Sequence, residues 1–382
     1  MEISDADAQR LLADLVRIDS TNPELVAGGA GESEIADFAT SWLEPRGFDC
    51  RRLESTPGRP SVVATYRGGR GKRLMLNGHL DTVTLAGYSG NALEPLVQGG
   101  RMHGRGTYDM KAGVAAMMTA AAGVARAGHG GDIVLALVAD EEHASIGTQE
   151  VLAAGFTADA AIVVEPTGLD IVTAHRGFVW LDITVHGRAG HGSRRDLGVD
   201  AIAHTGRVLT ALAEHDRVLA GRPPHPLLGT ANLHAATING GEERSSYPAE
   251  CTVAVEYRTL PGDSAENVER ELRAIVDDAI ADSPCSAEVR VVFERSPFHI
   301  DQDADIVRAV ANGVEAETGR APELPGEAFW TDCALLADAG IPTVLFGVDG
   351  GGAHAEDEWV DLASFRTVTK ALTRVIEGFG NS

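Results

Sequence analysis

Short apolar runs that alternate with helical patterns are the feature of this sequence that most limits its fold. Five runs have the length of a buried strand, and they lie at residues 61–66, 73–76, 133–139, 161–164 and 343–346. Helical spacing of apolar residues occurs over 5–18 and 32–45, and a longer helix rich in Ala and Met is predicted over 110–127. Such alternation is typical of α/β proteins. The sequence therefore predicts an α/β fold.

The middle of the chain has a different pattern. Residues 178–186 alternate between apolar and polar, as in a half-exposed strand, and the next predicted elements are a helix, two strands, a helix and a strand at 199–214, 231–238, 251–260, 265–281 and 287–293. The order βαββαβ is that of a ferredoxin-like sandwich. A chain of 382 residues also exceeds the usual size of a single core. We therefore predict an α/β domain with a mixed central sheet, formed by 1–176 and 296–382, and an inserted ferredoxin-like domain at 177–295.

Acidic and imidazole side chains follow four of the predicted strands. The residues at these positions, in chain order, are His79 and Asp81, then Glu141 and Glu142, then Glu165, and finally His354 after a glycine-rich stretch. A further carboxylate, Asp109, lies in a glycine-rich turn just before the long helix. Ligands of open α/β sheets bind beyond the carboxyl ends of the strands. These side chains are therefore expected at one edge of the sheet.

A bound cation explains why so many carboxylates would share one edge. Crowded carboxylates repel one another, and their pKa values rise unless a positive charge compensates. Imidazole mixed with carboxylate suits zinc, cobalt or manganese better than calcium or magnesium. Each residue alone has an ordinary alternative, such as a surface ion pair, a solvated helix start, a turn cap or a loop histidine. Their joint occurrence at strand ends favours the metal site, and one aspartate can bridge two ions.

These residues lie in segments that occur in the same order in a known family. The chain resembles the dinuclear zinc enzymes that include acetylornithine deacetylases, succinyl-diaminopimelate desuccinylases, aminoacylases and glutamate-releasing carboxypeptidases. The matching segments span almost the whole chain, at 77–81, 104–111, 140–142, 165–166, 187–193, 258–262 and 352–354. The segment at 245–248 departs from the pattern common in the family, which indicates an individual substrate pocket.

The resemblance implies a role for each candidate residue of the metal centre. Asp109 would bridge two divalent ions, with zinc as the first choice and cobalt or manganese as alternatives. The remaining ligands would be His79 and Glu165 on one ion, and Glu142 and His354 on the other. Asp81 would fix the tautomer of His79. Glu141 would be the general base, and the peptide bond after Asp109 would be cis.

The resemblance also implies that the inserted domain is a lid and the contact surface of a homodimer. His191 would reach from this domain into the site of the partner subunit and stabilise the oxyanion of the reaction. Its alternative is an ordinary polar loop residue. Arg258 would hold a substrate carboxylate, with a surface ion pair as its alternative.

Composition limits the partners and the location. The formal charge of −24 argues against nucleic acid, whose phosphates require a basic surface. No apolar run approaches the roughly 20 residues of a membrane span, and the acidic first residues do not resemble a secretory signal. The four cysteines are scattered and are expected to be core residues. The sequence therefore predicts a cytoplasmic protein without a membrane partner.

The predicted function is hydrolysis of the amide bond of an N-acyl amino acid. Two alternatives stay open. One is a metallo-carboxypeptidase or dipeptidase that acts on short peptides with the same chemistry. The other is a non-catalytic amino-acid-binding protein, since a fold alone does not establish function; the presence of Glu141 beside all five ligands argues against it.

Overall fold

The computed structural model describes residues 3–69 and 71–379, which form two compact units. The first unit comprises the chain up to Thr173, Ile300–Pro325, and the residues from Thr331 onward. The second comprises Ala174–His299 and Gly326–Trp330. The predicted inserted domain, 177–295, lies within the second unit.

The first unit is built on a seven-stranded mixed sheet. With elements numbered along the whole chain, its strands are β1 (Asp49–Leu53), β2 (Ser61–Tyr66), β3 (Arg73–His79), β6 (Asp132–Val138), β7 (Ala160–Val163), β8 (Ile171–Val172) and β18 (Thr343–Phe346). Their order in the sheet is β1-β2-β6-β3-β7-β18-β8. The four neighbours β6, β3, β7 and β18 are mutually parallel, whereas β2 and β8 are antiparallel to the strands beside them. The carboxyl ends of the four parallel strands therefore meet at one edge.

Helices of the first unit pack against one another around this sheet. They are α1 (Asp5–Arg17), α2 (Ser33–Leu43), α3 (Ala112–Ala127), α4 (Ile146–Ala153), α7 (Asp305–Thr318), α8 (Cys333–Asp338) and α9 (Leu362–Phe379). Helix α3 packs against α1 and α9, and α9 also packs against α7. Small and apolar residues cover almost the whole circumference of α3, so the helix is buried on nearly every side. A small antiparallel sheet adds β4 (Leu96–Gln98), β5 (Arg101–His103), β19 (Gly350–Gly351) and β20 (Trp359–Asp361).

The second unit is a ferredoxin-like sandwich. Its main elements are β10 (Gly177–His186), α5 (Ala201–Ala220), β12 (Asn232–Gly240), β14 (Glu250–Thr259), α6 (Ala265–Ala279) and β15 (Ser286–Arg295). The four strands form an antiparallel sheet in the order β12-β14-β10-β15. Alternate residues of β10 are buried, and they join α5 and α6 in an apolar core of this unit. Short strands complete the unit: β9 (Ala174–His175), β11 (Gly190–His191), β13 (Ser246–Tyr247), β16 (Phe298–His299) and β17 (Gly326–Glu327).

The α/β fold and its mixed sheet are confirmed, and each of the five predicted strands is present. Several helix boundaries differ from the prediction, three of them for a clear physical reason. The long helix begins at Ala112 rather than at residue 110, because Asp109 and Met110 have non-helical backbone angles. Helix α2 ends at Leu43, before a short 3-10 turn that contains Pro45. Helix α5 extends beyond residue 214 to Ala220, because Leu219 continues its buried face.

Within the described residues, no helix combines the length and the apolar character that a membrane span requires.

Candidate metal centre

The parallel strands deliver the predicted ligands to one edge of the first unit. Strand β3 ends on His79, β6 leads into Glu141 and Glu142, and β7 leads into Glu165. His354 follows β18 and the short strand β19. Because parallel strands point their carboxyl ends the same way, residues far apart in the chain become neighbours. The predicted convergence at this edge is present in the structure.

Asp109 lies between the two histidines. Its Oδ1 is 3.1 Å from Nε2 of His79, and its Oδ2 is 3.1 Å from Nε2 of His354. Each carboxylate oxygen thus faces a different imidazole. This is the arrangement expected of a carboxylate that bridges two cations.

Two glutamates complete the groups around these histidines. Glu165 Oε1 lies 3.4 Å from Nε2 of His79, and Glu142 Oε2 lies 3.1 Å from Nε2 of His354. Glu141 also has an oxygen in a cluster with ligand atoms of His79 and Glu165, within 4.8 Å of one another. The geometry alone therefore allows Glu141 to act either as a base or as a ligand.

The backbone around Asp109 explains how this carboxylate reaches the strand ends. The peptide bond between Asp109 and Met110 is cis, as the resemblance implied. Helix α3 then starts in contact with the end of β7, where a Cβ atom on Gly113 would lie 2.0 Å from the carbonyl oxygen of Val164. A glycine at this position is required for the close approach. The start of α3 therefore brings Asp109 beside Glu165.

The carboxylates of the centre need a positive charge. Burial raises the pKa of Glu142 to about 7, and the charge of Asp109 adds to this effect. Burial also raises the pKa of Glu165 well above its usual value. Hydrogen bonds to Asp109 and Glu142 raise the pKa of His354 to about 10. Four carboxylates facing two imidazoles are therefore an environment that favours cations.

The residues present fit a pair of divalent cations. Oε1 of Glu142 is buried and has no hydrogen-bond partner among the described residues, so one oxygen remains for a further ligand contact. The donors combine imidazole nitrogen with carboxylate oxygen, a set that suits zinc, cobalt and manganese. The two groups of donors share Asp109. The side chains can therefore hold two ions with one bridging carboxylate.

The second ring nitrogen of His79 is fixed by Asp81. Nδ1 lies 3.0 Å from the backbone oxygen of Asp81 and 3.6 Å from its carboxylate, so the carbonyl is the nearer acceptor. A carbonyl only accepts hydrogen bonds, so Nδ1 carries a proton, and Nε2, which lies beside Asp109 and Glu165, is the ring nitrogen that can bind a metal ion. The Asp81 carboxylate instead accepts hydrogen bonds from the backbone N–H groups of Glu141 and Glu142, at 3.1 and 3.2 Å.

A buried polar network supports the turn that carries Glu141 and Glu142. Asp140, which begins this turn, has a left-handed φ of 65°. Arg59 donates one hydrogen bond of 2.9 Å to Asp140 and two of 2.7 Å to Glu32. Asn22 donates to both Asp81 and Asp140, at 2.8 and 3.0 Å. These contacts hold the turn that carries Glu141 and Glu142 in place.

Sequence analysis missed Asn22, Glu32, Arg59 and Asp140 as contributors to the site. No local pattern marks them, because Arg59 meets partners 27 and 81 residues away in the chain. Arg105 and Glu358, which form a buried ion pair with each other, were missed as well. Glu358 lies four residues after His354, so its closeness in the sequence to a predicted ligand could have identified it.

His191 and Arg258 belong to the second unit. His191 lies on β11, which pairs with β13, and its exposed ring nitrogen Nδ1 is 2.8 Å from Oγ of Ser193. Arg258 lies on β14, where its guanidinium pairs with Glu256 and lies 5.3 Å from the ring centre of Phe178. Both side chains have groups that can still contact a ligand, and their roles stay predictions.

The fold and the donor set define a metal-dependent hydrolase, and comparison with known proteins gives its family. The model of peptidase family M20/M25/M40 matches residues 75–378. The chain is 30% identical to an acetylornithine deacetylase of Myxococcus xanthus, over 90% of this chain and 92% of that protein. It is 29% identical to a succinyl-diaminopimelate desuccinylase of Cereibacter sphaeroides, over 98% and 99% of the two chains. The chain therefore belongs to peptidase family M20/M25/M40 and is a metal-dependent amide hydrolase.

A solved structure shows the same fold. A dinuclear metal-binding peptidase of the M20 family from Bacillus subtilis superimposes with a TM-score of 0.75 at 15% identity, over 99% of this chain and 98% of that one. The likeness extends over both units of the chain, since each lies within the part that is covered.

Proposed function

We propose that this protein hydrolyses the amide bond of an N-acyl amino acid with two divalent metal ions. The observation that carries the proposal is Asp109, whose two oxygens each lie 3.1 Å from a different histidine while Glu141 lies close by. The two relatives, named as a deacetylase and a desuccinylase, favour an N-acyl amino acid as substrate. Zinc is the first choice of metal, with cobalt or manganese as alternatives.

Each residue of the centre then has a defined task. His79 and Glu165 would hold one ion, Glu142 and His354 would hold the other, and Asp109 would be shared by both. When bound, the ions polarise the amide carbonyl and lower the pKa of the attacking water. Glu141 takes a proton from that water and delivers it to the leaving amine nitrogen. This transfer makes the amine a neutral leaving group.

His191 and Arg258, which lie on the second unit, are the remaining candidate residues. His191 donates a hydrogen bond to the substrate oxygen that gains negative charge, a contact that strengthens as the charge develops. Arg258 binds the carboxylate of the amino acid through its planar guanidinium. The substrate carboxylate then replaces Glu256 as the partner of this guanidinium.

A substrate panel tests the proposal. N-acetyl, N-succinyl, N-formyl and N-carbamoyl amino acids are compared with dipeptides, each in the presence of zinc, cobalt or manganese. We expect N-acyl amino acids to give the highest kcat/KM. Faster cleavage of dipeptides would establish the peptidase alternative, and binding without turnover of any amide would establish an amino-acid-binding protein.

Removal of the metal should abolish turnover. Dialysis against a chelator takes away the groups that activate water and carbonyl, and the remaining carboxylates cannot replace them. We expect activity to fall below detection and to return on addition of zinc, cobalt or manganese, with two ions per chain by elemental analysis. A metal-free protein that keeps full activity would refute the metal centre.

We also propose that the second unit pairs two copies of the chain. Strand β12 is an edge of its sheet, and residues 234–240 on it are exposed. Exposed edges of this kind readily pair with a second strand. We expect Ile238→Lys to convert a dimer to a monomer in light scattering, because Ile238 is an apolar residue of this edge and is 50% exposed. Val292→Lys is the matched control on the opposite edge strand, where Val292 is 52% exposed.

A role of His191 across the two subunits follows from this pairing. His191→Ala should lower kcat about 10²–10³-fold, as expected for the loss of one oxyanion donor. The monomeric Ile238→Lys variant should lose a similar factor, and adding His191→Ala to it should change little. A monomer with full activity would contradict this role.

The cytoplasmic location stays a prediction of the sequence.

A further inference from the structure

A buried carboxylate outside the ligand set holds the turn that carries Asp109. Glu358 is only 1% exposed. Its Oε1 accepts hydrogen bonds from the backbone N–H groups of Tyr108 and Asp109, at 2.9 and 3.0 Å. Its Oε2 accepts one from the backbone N–H of Gly106, at 3.0 Å. A single side chain therefore binds three amides of the turn, including the amide of Asp109 itself.

The same carboxylate is paired with a buried arginine. Nη1 of Arg105 donates to Oε2 of Glu358 at 2.9 Å, and Arg105 is only 2% exposed. The other guanidinium nitrogens donate to the backbone oxygen of Ala355 at 2.9 Å and to that of Thr84 at 3.0 Å. Because the guanidinium is planar and rigid, its donors fix these groups relative to one another.

These contacts join two segments that carry ligands. Arg105 and Asp109 belong to one segment, whereas Ala355 directly follows His354 and Glu358 lies three residues further on. A backbone hydrogen bond of 3.1 Å from Gly104 to the carbonyl of Glu358 adds to the connection. The result is one buried unit that contains the supports of both Asp109 and His354.

His354 needs such support. It has a left-handed φ of 61° and is separated by Ala353 from three successive glycines, a stretch with little conformational restraint of its own. Its side chain is about half exposed, so packing restrains it less than it restrains His79. The distance of 3.1 Å between His354 and Asp109 therefore depends on how the two segments are held together.

We propose that Glu358 and Arg105 are positioning residues that set the separation of Asp109 and His354 and thereby the affinity for the metal ion these two ligands share. Neither side chain contacts the ion in this assignment. The inference rests on the proposed metal centre. Residues that orient ligands typically change metal affinity about 10–100-fold when they are replaced.

The test is metal binding by metal-free protein. Wild type and Glu358→Gln are titrated with Co²⁺, followed by its visible absorption and by calorimetry. Glutamine keeps the size of the side chain but can accept at one oxygen only, and its amide N–H₂ faces donors. We expect the ion at Glu142 and His354 to bind about 10–100-fold more weakly, and the ion at His79 and Glu165 to be weakened less. Excess Co²⁺ should restore the second ion.

Two further variants keep the proposal testable. Arg105→Lys leaves Glu358 beside a positive charge but cannot reach Thr84 and Ala355 together, so it should weaken the same ion even if Glu358→Gln fails to fold. Glu356→Gln changes an exposed residue of the same loop and should bind both ions like wild type. Circular dichroism of the metal-free proteins verifies that the variants compared are folded.

The outcomes separate this inference from the proposed function. If the folded Glu358→Gln and Arg105→Lys variants bind both ions with wild-type affinity, the two residues serve stability alone and the inference is wrong. Equal weakening of both ions would also overturn it, because the proposal concerns the ion shared by Asp109 and His354. If wild type itself binds no Co²⁺, the proposed metal centre is wrong, and the inference that rests on it is wrong as well.

Discussion

Glu141→Gln should lower kcat about 10²–10⁴-fold while two metal ions stay bound to each chain. This factor is the usual contribution of a general base. Glutamine keeps the shape of the side chain but cannot take a proton from water. Burial raises the pKa of Glu141 well above its usual value, and the nearby charge of Glu165 contributes. Burial makes this carboxylate a stronger base than one in water, which suits it to take up a proton and pass it to the leaving amine.

The measurement compares two adjacent residues. Steady-state kinetics and elemental analysis are performed on Glu141→Gln and on Glu142→Gln. The second variant replaces a predicted ligand of one ion, and we expect it to lose metal as well as activity. If Glu141→Gln also loses an ion, Glu141 is a ligand, which its position near His79 and Glu165 allows. Unchanged turnover would show that the base is another group.

Arg59→Met should have the largest expected effect on stability, a loss of about 3–5 kcal/mol in the free energy of unfolding. Arg59 is 3% exposed and is the cation between the buried carboxylates of Glu32 and Asp140. Removing one partner of a buried ion pair leaves an uncompensated charge, which is the costly way to break such a pair. Burial already raises the pKa of Glu32 above its usual value even with Arg59 present.

Urea unfolding of the metal-free protein measures this loss without a contribution from metal binding. Arg52→Met is a matched control, since Arg52 pairs with Asp37 and Glu54 near the surface and should cost no more than about 1 kcal/mol. The double variant Arg59→Met with Glu32→Met removes a charge of each sign and should recover part of the loss. Equal unfolding midpoints for Arg59→Met and Arg52→Met would contradict the importance of the buried pair.

Sequence patterns predicted the parts of the site that depend on local chemistry. His79, Glu142 and Glu165 each follow an apolar run of strand length, so their side of the sheet could be predicted from strand direction alone. The start of the long helix could not be predicted in the same way. Met110 suits a helix by composition, yet its backbone angles are non-helical in the turn before α3.

The supporting residues were beyond sequence analysis for a different reason. A buried arginine such as Arg59 looks like any surface arginine until its partners are known, and Glu358 looks like a loop glutamate. Their effect depends on burial and on the atoms they meet. Both properties arise only when distant segments pack together.

The sequence by itself determined the kind of chemistry, because imidazole and carboxylate side chains at the ends of apolar strands are a local property of the chain. It also determined the α/β fold, through the lengths and spacing of the apolar runs. Only the tertiary structure decided that the two oxygens of Asp109 face different histidines, one of them 245 residues away. It alone also decided that the carbonyl of Asp81 lies nearer to His79 than the carboxylate does. Both findings concern which atoms lie beside one another, and packing between distant segments decides that.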